Sequence, residues 1–195
     1  APAFAVNVIQ NGTFDTNTTG WTFWTQRASN SSFSVVSGQG LFYAANFNGG
    51  IWQSFPTIAG VQYTISGWGK FYTSGSGQNT WSEILIGTSA PVQGQDYNAS
   101  TPGAVLCAKQ ETTTSTTFDK NFSAWSSSSV PTANLTFTGT GNTMYLVVKH
   151  GNTTGSTRTG LYVDNIAVTY VPEPGSLAAL GVGLVGLCGI IRRRR

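Results

Sequence analysis

Apolar and polar positions alternate along this chain in short runs, broken by clusters of Gly, Asn, Ser and Thr, and no stretch of the body keeps a helical spacing. The runs predict strands at residues 32–36, 40–47, 50–55, 62–72, 82–86, 134–138, 144–149 and 161–171. Eight strands or more in a body of this length predict an all-β fold built as a two-sheet sandwich. The run from Val61 to Tyr72 is the most informative. Side chains alternate between the two faces of a strand. Val61, Tyr63, Ile65 and Phe71 therefore share a core face, and Thr64, Ser66, Trp68, Lys70 and Tyr72 share the other. Gly67 and Gly69 flank Trp68 on the core side, where they leave room for close approach of neighbouring structure.

The two ends follow different patterns. Ala1 to Ala5 carry the small-residue spacing of a secretory cleavage site and read as a signal-peptide remnant, which implies the Sec export machinery. At the other end, Pro172-Glu173-Pro174 precedes fifteen uncharged, mostly apolar residues, Leu177 to Ile191, and then Arg192, Arg193, Arg194 and Arg195. As a short apolar helix this run would rise about 23 Å, less than a hydrocarbon core of about 30 Å. Arginines stay on the cytoplasmic side of a membrane, so the pattern is that of a stop-transfer tail with the body exported. The chain divides accordingly into residues 1–5, a body at 6–171 and a tail at 172–195.

Composition supports a body of many short strands and loops. Ser, Thr, Asn and Gly supply 84 of 195 residues, charged residues only 9%, and aromatics 12%, which separates the chain from a disordered one. The net charge of +3 comes from the terminal arginines: residues 1–171 hold six basic and six acidic groups. A neutral body releases few counterions from a phosphate backbone, so no nucleic-acid partner is expected. Cys107 and Cys188 lie in different parts of the chain and predict no disulfide framework. Cys107 reads as a small buried hydrophobe.

Candidate chemistry is sparse. Trp68 and Tyr72 with Lys70 between them form a stacking platform with a polar handle, suited to the C–H faces and hydroxyls of a sugar. Trp52, out of phase with Ile51, Gln53 and Phe55, is expected on the same face as Trp68. Trp24, Trp81 and Trp125 are placed outside the core and Trp21 inside it. Glycoside hydrolysis needs two converging carboxylates. Glu83, Asp96, Glu111 and Asp119 are free for that role but sit in no motif and read as loop charges. His150 is the single histidine and, with Gly151 and Asn152, reads as a turn. With no nucleophile motif, the chain is expected not to be an enzyme.

The tail resembles the PEP-CTERM sorting signal through Pro172-Glu173-Pro174, the apolar run and Arg192 to Arg195, in that order. The resemblance implies processing by the membrane transpeptidase exosortase. It also implies transient inner-membrane anchoring, then a place on the cell surface or in the extracellular matrix of a Gram-negative bacterium that makes exopolysaccharide. The body resembles jelly-roll modules of the carbohydrate-binding, galactose-binding-like class. The matching residues are Asn11-Gly12-Thr13-Phe14-Asp15 with Gly20-Trp21, Tyr63 to Lys70, and Tyr162-Val163-Asp164-Asn165-Ile166. That resemblance implies a jelly roll and a structural calcium held by Asp15, Asp164 and oxygens near Thr13, since calcium takes six to eight oxygen ligands. The reading is an exported, non-catalytic exopolysaccharide-binding protein of a biofilm. The alternatives are a purely structural matrix protein with its aromatics in the core, and a secreted glycoside hydrolase.

Overall fold

In the computed structural model, residues 4–73, 79–112, 117–152 and 158–172 are described. They form ten strands: β1 (Val6–Asn7), β2 (Thr22–Val36), β3 (Gln39–Pro56), β4 (Gln62–Thr73), β5 (Thr80–Gly87), β6 (Val105–Thr112), β7 (Phe118–Asn121), β8 (Thr136–Thr138), β9 (Thr143–Asn152) and β10 (Arg158–Tyr170). One 3-10 turn, Phe122–Ala124, interrupts them. Among the described residues no helix is long and apolar enough to cross a membrane. The expected C-terminal helix, Glu173, Pro174, Cys188 and Arg192 to Arg195 lie outside the described residues, as do residues 1–3.

All pairings are antiparallel and make two layers. In the first, β3 (residues 40–45) pairs with β10, which pairs with β4; β7 and β8 line the far edge of β4 and β1 pairs the end of β10. In the second, β3 (residues 48–56) pairs with β9, then β5, then β6. The hairpin of β2 and β3 runs through both layers. It bends where β2 shifts register three times between Thr25 and Ser32 and where Asn46 takes a left-handed φ of 47°. Such irregularities let one strand leave a sheet and enter the next.

The core between the layers follows the period-2 pattern. Tyr63, Ile65 and Phe71 of β4, with Leu161, Val163 and Val168 of β10 beside them, pack against Ile51 and Phe55 of β3, Ile84 and Ile86 of β5, and Leu146 and Val148 of β9. The two glycines of β4 are used as the pattern predicts. A Cβ on Gly67 would stand 2.3 Å from the Phe122 ring, and one on Gly69 2.5 Å from Trp125.

Several expectations are corrected. Residues 40–47 and 50–55 belong to one strand, and β6 and β7 form where the alternation predicts no strand. Trp24 and Trp125 are buried, not outside the core. Trp125 packs on Phe118, Phe122 and the bare backbone of Gly69. Trp24 belongs to a second apolar cluster with Leu85, Tyr97 and Val147 on the outside of the second layer. Residues 88–104 cover it, through Trp24 Nε1 donating to Gln95 O (3.0 Å) and Gly94 N to Thr25 O (2.8 Å). His150 is not in a turn. It lies within β9, fully buried, with Nδ1 3.1 Å from Ser82 Oγ and Nε2 2.9 Å from Thr159 Oγ1.

Candidate functional site

The outer face of the first layer carries the predicted platform. Strand pleating brings Trp68 and Lys70 to this face, and cross-strand register sets their neighbours. Trp68 stands between Asp164 of β10 and Asn121 of β7, and Lys70 between Tyr162 and Asp119. Trp68 is half-buried and Lys70 exposed. The Trp68 indole donates Nε1 to Asp119 Oδ1 at 2.7 Å, and Lys70 Nζ lies 3.6 Å from Asp119 Oδ2. Asp119 thus holds both the aromatic ring and the cation. It is not a loop charge, and the short strand β7 that carries it gave no clear alternation in the sequence. Tyr72 continues β4, but its side chain lies outside the described residues. Beside Trp68 opens a cavity of about 590 Å³, lined by Gln39, Ser66, Trp68, Asn121 and Asp164 among others. Its wall combines one aromatic ring with amides, two serine hydroxyls and a carboxylate.

Trp52 does not join this face. It is in the second layer, opposite Val147 and edge-on to Tyr145 at 5.6 Å. Alternation within residues 50–55 does turn Trp52 away from Ile51 and Phe55, but it cannot tell which of the two layers the strand belongs to.

The opening and closing motifs meet. Ile166 N donates to Gly12 O at 3.0 Å, and a Cβ on Gly12 would stand 1.9 Å from Ile166 O, so this position excludes any side chain. Trp21 Nε1 donates to Asn11 O at 3.0 Å, and Phe14 packs against Trp21. β10 bulges between Asp164 and Ala167, with Asn165 at φ 53°. The bulge brings Asp164 within electrostatic reach of Asp15, to which Thr13 Oγ1 donates at 2.7 Å. The Asp164 carboxyl is raised above its usual range, first by partial burial and further by the Asp15 charge, against the hydrogen bond from Asn165 N. Two carboxylates are the donor type that calcium takes, though it takes six to eight oxygens. Among the described residues no group of three or more His, Cys, Asp or Glu could hold a metal.

The remaining carboxylates converge on the outside of the second layer, which the sequence did not reveal. Lys149 is buried, with Nζ 2.8 Å from Asp96 Oδ1 and 3.3 Å from Glu83 Oε2. Lys109 lies 3.7 Å from Glu83 and 3.3 Å from Glu111. Burial alone would raise Asp96. Hydrogen bonds from Lys149, Asn98 and Asn48, and the Lys149 charge, instead bring it below the usual range, which suits an ion pair and not a proton donor. The one available clue was Lys149 itself, a charge directly after the apolar run Leu146-Val147-Val148. His150 is held down to about 3 by burial, against a hydrogen bond to the Trp81 backbone, so it is neutral and sealed from substrate. Burial pushes the Cys107 thiol up to about 11, which leaves no thiolate for nucleophilic chemistry.

Residues 171–195 match the family model of the PEP-CTERM protein-sorting motif. The chain carries a PEP-CTERM sorting signal. This signal implies an exported protein whose C-terminal anchor is processed by exosortase. Solved structures similar to the chain include carbohydrate-binding modules, a bacteriophage tailspike domain and the adhesin domain of a gingipain. A CBM4 structure is 18% identical, with 83% of this chain and 99% of that chain covered and a TM-score of 0.45. A CBM22 xylan-binding domain from Paenibacillus barcinonensis is 12% identical, with 89% and 98% covered and a TM-score of 0.49. A CBM61 module in complex with beta-1,4-galactotriose is 13% identical, with 84% and 97% covered and a TM-score of 0.43. No curated protein matches the chain.

Proposed function

We propose that this PEP-CTERM protein is a non-catalytic polysaccharide-binding component of the cell surface or matrix, its body a jelly-roll module. The observation that carries the reading is Trp68. Its ring stands half-buried on a sheet face, fixed by Asp119, at the edge of a cavity lined by Gln39, Ser66 and Asn121. A sugar ring would stack on the indole, and its hydroxyls would meet the amides and Lys70. The body's neutral charge suits an uncharged polysaccharide, such as a neutral exopolysaccharide of a biofilm. In this reading Asp15 and Asp164, with oxygens near Thr13, hold a structural calcium. The ion would relieve the repulsion between two carboxylates and tie the opening segment to β10.

The test is tryptophan fluorescence of the protein titrated with exopolysaccharide from its own producer, with and without calcium. A saturable change that disappears in Trp68→Ala, while the unfolding midpoint is kept, is the expected result. No saturable change in the unsubstituted protein would remove the sugar site and leave a structural surface protein whose tryptophans serve packing.

A further inference from the structure

The end of the sandwich from which the sorting tail leaves has a surface unlike the rest. β10 finishes there at Tyr170, opposite Val6 of β1. β4 begins there at Gln62, opposite Thr138 of β8, and β3 ends at Pro56, opposite Thr143 of β9. The loops between them are tied together by Gly60 N to Gly139 O (2.9 Å), Gly139 N to Val61 O (2.8 Å) and Thr57 Oγ1 to Asn142 O (2.7 Å). The segments that build this end, residues 4–14, 54–67, 121–148 and 165–172, contain no charged residue. Apart from Glu173, which opens the tail two residues after Val171, every charge lies elsewhere. The nearest on β10, Asp164, is seven residues back from Val171, about 20 Å along the strand.

The same end gathers exposed apolar side chains. Of seven large hydrophobics exposed among the described residues, four are here: Phe4, Val6, Ile58 and Val171. Val171 lines one groove with residues 59–62, next to Ile58. Scattered exposed hydrophobics are ordinary, but a charge-free pole that collects most of them is a surface suited to a partner.

The tail says which partner this end meets. Pro172 is the last described residue, and the uncharged run of the anchor begins at Leu177. Five residues span at most about 18 Å even when fully extended. Until the anchor is processed, this pole is therefore tethered within that distance of the bilayer. An uncharged surface approaches lipid without stripping water from ions, and its apolar side chains gain by leaving water. We propose that the pole formed by Phe4, Val6, Ile58 and Val171 is a lipid-facing surface, which seats the body on the membrane before processing. Seating would hold Pro172 and the residues after it at the bilayer surface, where a membrane transpeptidase must reach them.

The experiment uses the full chain, with Cys188→Ser, reconstituted through its tail in neutral phosphatidylcholine vesicles. Cys107 is buried and its thiol is held protonated, so a single introduced cysteine takes an NBD label. One label goes on Ile58→Cys. The other goes on Thr117→Cys, next to Phe118, which pairs with Phe71 nine residues along β4 from Gln62. The expected result is blue-shifted emission at position 58 and several-fold stronger quenching there than at position 117 by a nitroxide on the lipid headgroup. Addition of Val171→Asn and Val6→Asn should abolish the difference. Equal, weak quenching at both sites means a freely tethered body and overturns the proposal. So does quenching at position 58 that needs anionic lipid and vanishes in salt, because the pole has no cation to offer. Shielding of position 58 that appears only when exosortase is co-reconstituted would replace the lipid with a protein contact and overturn it as well.

Discussion

His150 makes the acid stability of the body predictable. It is the only histidine in the chain, fully buried between the layers, and its pKa is lowered from 6.5 to about 3 because burial penalises the charged ring. The unfolded chain takes up a proton near pH 6.5, and the folded chain does not until about pH 3. The contribution of the neutral ring is therefore complete above pH 6.5 and is lost as pH falls through that window. At pH 4.5 the loss from this one group is about 2.7 kcal/mol, from two units of titration in the unfolded state alone. With a urea m-value of about 2 kcal/mol per molar, the midpoint should drop by roughly 1.3 M. The assay is urea unfolding of the tail-less body at half-unit steps between pH 7.5 and pH 4.5, followed by tryptophan emission. Between pH 7 and pH 5.5 ordinary carboxylates do not titrate, so that slope belongs to the histidine. His150→Gln should be less stable at pH 7.5 but nearly flat across that range. The same slope in both proteins would falsify the assignment of His150 as a buried neutral group.

Three further outcomes follow from packing and charge. Gly67→Ala forces a methyl into the Phe122 ring and should cost about 1–3 kcal/mol in urea unfolding. Lys149→Met leaves Glu83 and Asp96 facing each other without their bridging cation and should destabilise by about 3 kcal/mol, part of which Glu83→Gln in the same chain restores. Cys107, in a Cys188→Ser chain, should stay silent to a thiol reagent at pH 8 and react fully in urea; rapid native reaction would contradict its burial.

What the sequence carried was local. The strand pattern of β4 could be read because alternation needs only neighbouring residues, and it correctly placed Tyr63, Ile65 and Phe71 inward and Trp68 and Lys70 outward. The two glycines beside Trp68 announced close contact, although not that Phe122 and Trp125 would make it. The sorting signal was legible in full, because a linear segment read by a transpeptidase has its order of elements written along the chain. The paired opening and closing motifs were visible as residues, and their contact at Gly12 and Ile166 joins positions 154 residues apart.

Tertiary structure decided everything that depends on which strand lies beside which. Trp52 does point outward as its alternation with Ile51 and Phe55 predicts, but from the second layer and not from the face of Trp68, because alternation carries no information on which layer a strand joins. Asp119 became the partner of Trp68 and Lys70 only through the pairing of β7 with β4. Lys149, Glu83 and Asp96 found one another through the pairing of β9 with β5 and through the segment 88–104 folded over them. His150 was read as the start of a turn because glycine and asparagine follow it, yet β9 runs on to Asn152 between β3 and β5. Such pairings join residues up to hundreds of bonds apart. Their energy comes from burial and hydrogen bonds formed only when the layers close, so no window of sequence contains them.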